Sequence, residues 1–73
     1  MNSHIKNLYT KRKHKVTQLH AKEKKQFILE QHLLEHPTDY TSVISNELLK
    51  SDIKRIEYSI KEIDKQMELY THD

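Results

Sequence analysis

Apolar residues in the second half of the chain recur in alternating steps of four and three residues. This heptad pattern continues through Leu49, Ile53, Ile56, Ile60, Ile63, Met67 and Tyr70. It predicts one long helix with a continuous apolar seam of the coiled-coil type, which would form the core of a hairpin or a dimer. Asn46 takes the next a position toward the N-terminus, where a buried amide can fix the register of packed helices. Isoleucine at both a and d favours assemblies of more than two helices.

The first half of the chain carries a less regular apolar stripe, formed by Ile5, Tyr9, Val16, Leu19, Phe27 and Leu34. Charged residues interrupt this stripe at Arg12, Glu23 and Glu30. The pattern is typical of an amphipathic helix whose middle is too polar for complete burial.

A single break separates the two patterns, at residues 36–42. Pro37 disfavours helix in the residue before it, and the Thr, Asp and Ser residues that follow are candidate N-caps. The chain contains no glycine and one proline, so the residues that make tight turns between strands are almost absent. We predict an all-α antiparallel two-helix hairpin forming one domain, residues 1–73, with helix 1 at about 3–35, a loop at about 36–41 and helix 2 at about 42–70.

Near the predicted loop, apolar residues cover more of the helix circumference than one seam requires. We take six of them as candidate partner contacts: Phe27, Ile28, Leu33, Val43, Ile44 and Leu48. A hairpin of 73 residues has a thin core and cannot cover two apolar sides by itself. We therefore expect a homodimer that forms a four-helix bundle.

Composition narrows the cellular setting. The chain has no cysteine, which excludes disulfides and thiolate metal sites and suits a reducing compartment. Its longest apolar run, Phe27 to Leu29, is far shorter than a membrane-spanning helix of roughly 20 residues or a signal peptide requires. We expect a cytoplasmic protein without a membrane partner.

The charges of the two halves are complementary. Residues 1–37 contain eight Lys and Arg and three acidic residues, whereas residues 38–73 contain five and eight. A loop centred near residues 39–40 would set residue i beside about residue 79 − i, and would pair Lys11 with Glu68, Lys15 with Asp64 and Lys22 with Glu57. Such exposed pairs orient the helices more than they stabilise them.

The first helix also offers candidate nucleic-acid contacts: Lys11, Arg12, Lys13, Lys15, Lys22, Lys24 and Lys25. This density of cations suits phosphate contacts. The net charge is only +2, however, and no aromatic residue interleaves with the basic run to stack on bases. Our main interpretation is a solvated helix face that the acidic second helix partly neutralises, with nucleic-acid binding as the alternative.

His32 and His36 lie one helical turn apart, a spacing that can hold Zn²⁺. We interpret them as surface histidines, with a weak metal site as the alternative. Nothing in the sequence supplies a thiol nucleophile or a glycine-rich phosphate loop, so we expect no catalytic residue, no cofactor and no small-molecule substrate. The sequence favours a non-enzymatic protein–protein interaction module, an adaptor or regulator acting through a helical face on itself and an unidentified protein. The alternative is a nucleic-acid-binding helical dimer that uses the Lys11 to Lys25 face.

Overall fold

The computed structural model describes residues 3–71 of the chain, which form two helices and no strand. Helix α1 spans Ser3–Glu35 and helix α2 spans Tyr40–Thr71. They pack antiparallel along their length and form a rod of 54 × 14 × 14 Å. The predicted all-α hairpin is confirmed.

Asp39 determines where α2 begins. Its Oδ1 accepts a 3.3 Å hydrogen bond from the backbone N–H of Ser42, and its Oδ2 accepts a 2.8 Å bond from the Ser42 hydroxyl. A side-chain oxygen that accepts from the N–H three residues later is an N-cap. Helix α2 therefore starts at Tyr40, two residues earlier than the expected start near Ser42. Pro37 lies in the turn, where it cannot extend α1.

The early start of α2 changes the register of the two helices. A turn at residues 36–39 sets residue i of α1 beside about residue 75 − i of α2. Arg12 accordingly binds Asp64 at 2.6 Å and Lys22 binds Asp52 at 3.4 Å. The expected pairs of Lys15 with Asp64 and of Lys22 with Glu57 are wrong, because they assumed a loop centred about two residues later, which shifts the pairing by four residues, or about one helical turn.

The α2 seam faces α1 within one chain. Leu49, Ile53, Ile56 and Ile63 are buried, Ile60 and Met67 are half-buried, and Tyr70 is exposed at the open end of the rod. Asn46 is 7% exposed, and its side-chain Oδ1 has no hydrogen-bond partner among the described residues. A buried polar atom without a partner destabilises the fold, so Asn46 lowers the stability of the seam, and its role in fixing the register stays a prediction.

Helix α1 packs through a different stripe from the one that its apolar residues suggest. Its inward positions are buried or half-buried in steps of three and four residues: Ile5, Leu8, Arg12, Lys15, Leu19, Lys22, Gln26, Leu29 and Leu33. Leu8 is only 3% exposed and is the most buried apolar side chain among residues 3–71. Tyr9, Phe27 and Leu34, which the sequence stripe included, are exposed instead. Long polar side chains fill the seam because their methylene stems pack against α2 while their polar ends reach water.

Candidate protein-interaction surface

Exposed apolar side chains are concentrated near the turn, on both helices. We call this set the turn-end surface; it comprises Phe27, Ile28, Leu34, Val43, Ile44 and Leu48. Five of these six belong to the candidate contacts expected from sequence, and the sixth expected residue, Leu33, is half-buried in the seam. Leu34, which is 77% exposed, belongs to the turn-end surface instead of Leu33. Clusters of exposed apolar residues mark interaction sites.

The turn-end surface is divided between the two sides of the hairpin. Ile28 and Leu48 each precede a seam residue, Leu29 and Leu49, and so lie on one side. Phe27 follows a seam residue, which places it on the opposite side, and the same geometry places Val43 with it. The turn-end surface therefore has two faces.

The face with Ile28 and Leu48 contains an open groove of about 480 Å³ between the helices. Leu29 and Leu49 also line this groove, together with Lys25 and Asp52. We call it the turn-end groove. Its walls are mainly apolar, and its charged residues are one cation and one anion.

A second groove, of about 560 Å³, lies toward the open end of the rod. Tyr9, Val16 and Met67 supply its apolar surface, and Arg12 and Lys13 supply positive charge. The carboxylate of Asp64 binds Arg12 and raises the pKa of its guanidinium. That ion pair leaves Lys13 as the exposed cation of this groove.

The histidine pair is part of the turn rather than an isolated surface feature. His32 Nε2 lies 2.7 Å from Asp39 Oδ2, and the His32 and His36 ring centroids are 4.8 Å apart. Hydrogen bonds from His32 and then from Ser42 lower the pKa of Asp39 to about 2. Within residues 3–71 no three His, Cys, Asp or Glu side chains are arranged to hold a metal ion. His32 thus links the end of α1 to the cap of α2.

The basic residues of α1 do not share one face. Arg12, Lys15 and Lys22 are half-buried in the seam, and two of them bind carboxylates of α2. Of the remaining cations of the expected set, Lys11 and Lys25 lie two heptads apart on the side of the turn-end groove, whereas Lys13 and Lys24 are exposed at other angles around the helix. A phosphate backbone would meet only part of the expected basic set at one time.

Sequence reasoning missed three features of this surface and its support. Leu8 was overlooked because the seam residues that follow it, Arg12 and Lys15, are polar, although its spacing of three residues from Ile5 could have found it. Tyr40 was assigned to the loop, but it begins α2 and is exposed beside the turn. Leu34 was assigned to the buried stripe and is exposed.

Comparison of this chain with protein-family models, with curated proteins and with solved structures finds no match. Neither helix, over residues 3–71, has an apolar stretch that could cross a bilayer.

Proposed function

We propose that this chain is a non-enzymatic protein–protein interaction module, an adaptor or regulator that binds another protein chain through the turn-end surface. The observation that carries the proposal is the concentration of exposed large apolar side chains on both helices around the turn end of the rod. Single exposed apolar residues are common, but a cluster that continues across two helices is typical of a binding surface. The cysteine-free sequence leads us to place the module in the reducing cytoplasm.

The exposed apolar side chains determine how much hydrophobic free energy a partner can gain. Full burial of a Leu, Ile or Phe side chain contributes about 1.5–3 kcal/mol, so covering the exposed part of each contributes about 1–2 kcal/mol. A partner that covered five such side chains would gain roughly 5–10 kcal/mol before the loss of translational and rotational freedom. That gain is of the same order as the cost of association, so a stable contact also requires the apolar surface that the partner buries and polar contacts at the edge of the interface.

Nucleic-acid binding is the second candidate, and the geometry gives it less support. The half-buried cations Arg12 and Lys22 already bind carboxylates of α2, and among the exposed lysines of the expected set only Lys11 and Lys25 share a side of α1. Counterion release, which drives binding to phosphates, grows with the number of phosphates contacted at once. A rod with few cations on any one side would bind weakly and lose that binding in physiological salt.

A pair of matched variants tests the proposed module. Ile44 and Tyr58 are 61% and 65% exposed, and they lie two heptads apart on the outer side of α2. A tagged full chain would be recovered from its own cells after nuclease treatment, as wild type, as Ile44→Lys and as Tyr58→Lys. We expect a protein partner that survives nuclease, is lost with Ile44→Lys and is kept with Tyr58→Lys.

Three outcomes would contradict the proposal. If no protein partner is recovered, the proposed interaction module is refuted. Loss of every partner on nuclease treatment would favour nucleic-acid binding, and equal retention by both variants would show that the turn-end surface is not the contact.

A further inference from the structure

We propose that the turn-end groove binds a second copy of this chain, with the two hairpins side by side and both turns at the same end. In this arrangement, α1 of each hairpin lies over α2 of the other. The inference rests on the proposed function, because it names one partner of the turn-end surface. The opposite face, with Phe27 and Val43, then stays free for a different protein.

The amount of exposed surface favours a second copy. The chain exposes 6000 Å². A compact monomer of its mass, 8.8 kDa, would expose about 4800 Å². The surplus of roughly 1200 Å² exceeds the approximately 800 Å² that each partner buries in a stable interface of standard size. One further hairpin laid along the rod would cover that surplus.

The turn-end groove has complementary charges for contact with itself. A two-fold contact joins the same surface of both copies, so each residue of that surface must meet a residue of matching charge or polarity on the same surface of the second copy. Lys25 lies at the level of residue 50 of α2, close to Asp52, and Ile28 lies at the level of residue 47, close to Leu48. A two-fold axis along the rod therefore brings Lys25 to Asp52 of the second copy and Ile28 to Leu48 of the second copy.

A dimer with the two turns at opposite ends has no complementary pairing of charges in the turn-end groove. A two-fold axis across the rod would set α1 over α1 of the second copy, with the turns pointing in opposite directions. The α1 side of the turn-end groove contains Lys25 and no carboxylate. Lys25 would then lack an anion opposite it, so the charges select the arrangement in which the turns are together.

The first experiment compares two equally exposed side chains on opposite faces. Leu48 and Phe27 are both 63% exposed, so changing either to lysine leaves the seam intact. Wild type should show a mass near twice 8.8 kDa by light scattering at tens of micromolar. Leu48→Lys should raise the dissociation constant of the dimer about tenfold or more, and Phe27→Lys should change it less than about threefold. Circular dichroism would verify that both variants remain helical.

The second experiment tests the charge pairing. Lys25→Asp alone and Asp52→Lys alone should each weaken self-association, because each sets like charges opposite one another in the dimer. Asp52→Lys also removes the ion pair of Asp52 with Lys22 of its own chain, so circular dichroism must show that this variant remains helical. A mixture of the two variants should associate again, since both cross-chain contacts then join a lysine with an aspartate. A mixture that stays as weak as the separate variants would overturn the pairing.

The third experiment determines the direction. The natural chain has no cysteine, so Thr38→Cys places a single spin label at the exposed turn. Neighbouring hairpins with their turns together should give a label separation of about 10–20 Å, whereas the reversed arrangement centred on the turn-end groove gives about 30 Å or more. The longer distance would overturn the proposed direction.

A wild-type monomer at tens of micromolar would overturn this inference, and so would dissociation caused by Phe27→Lys rather than by Leu48→Lys. Neither result would contradict the proposed interaction module. That proposal depends on the separate comparison of Ile44→Lys with Tyr58→Lys, so the two failures are distinguishable.

Discussion

Leu8→Ala should destabilise the hairpin far more than Leu34→Ala. Leu8 is 3% exposed and Leu34 is 77% exposed, although both are leucines of α1. The helix propensities of leucine and alanine enter both changes equally and cancel in the comparison. The difference between the variants therefore reports mainly their burial.

The magnitude follows from the three carbon atoms that each change removes. At about 0.8 kcal/mol per buried CH₂, the nearly complete burial of Leu8 gives a loss of about 2.4 kcal/mol. A residual cavity adds to this, but a two-helix rod can collapse around the gap, so we expect about 2.5–3.5 kcal/mol in all. For Leu34, which is mostly in water, we expect about 0.5 kcal/mol or less.

Circular dichroism during thermal and urea unfolding would measure the effect. A 73-residue domain has a total stability of roughly 4–11 kcal/mol, so Leu8→Ala removes a large share of it. The midpoint temperature should fall by about 10–25 °C for Leu8→Ala and by a few degrees at most for Leu34→Ala. If the two variants melt at similar temperatures, or if Leu34→Ala is the weaker protein, the α1 seam through Leu8 is wrong.

Three further changes test other parts of the structure. Ile56→Ala should cost about 2–4 kcal/mol and Ile60→Ala less, because Ile56 is buried and Ile60 is half-buried; equal costs in urea unfolding would contradict the packing of α2. The pKa of Asp39 is lowered to about 2 in the fold, against 3.8 for the free group, so its stabilising effect is fully present above about pH 4 and is lost as the pH falls toward 2. Asp39→Asn should keep the cap and remove this pH dependence, and melting curves from pH 5 to pH 2 would show whether it does. The exposed pair Lys11 and Lys13 should support only weak duplex binding that physiological salt abolishes; tight binding there that is lost on changing both to glutamine would revive the nucleic-acid alternative.

The α2 seam could be predicted from sequence because nothing polar interrupts it after Asn46. The α1 seam could not, because Arg12, Lys15 and Lys22 occupy inward positions and look like surface residues in a sequence pattern. Their stems pack against α2 while their charged ends remain in water, which is a property of long side chains that the pattern does not encode. Exposed Phe27 meanwhile shifted the predicted stripe to the wrong side of the helix.

The turn and the candidate surface were predictable to different extents. Several residues near Pro37 could have capped α2, and the sequence does not choose among them. The structure identifies Asp39 as the cap and gives it a hydrogen bond with His32 of the preceding helix, a contact that the sequence pattern does not indicate. The apolar residues of the turn-end surface could be identified from their positions near the predicted loop. Their division into two faces could not, because it depends on which residues of α1 form the seam.

The position of Leu8 determines how the hairpin opens. Loop closure becomes more costly as the closed loop grows, and the step from the four-residue turn to a loop of about 60 residues at the level of Leu8 adds about 2.4 kcal/mol. Contacts near the turn should therefore form first, and the far end would ordinarily be the first to separate. Because the most deeply packed side chain lies at that far end, local separation there requires withdrawing Leu8 from the seam. Backbone amides around Leu8 should consequently exchange with solvent nearly as slowly as those around Ile53, and the rod should open as a single cooperative unit.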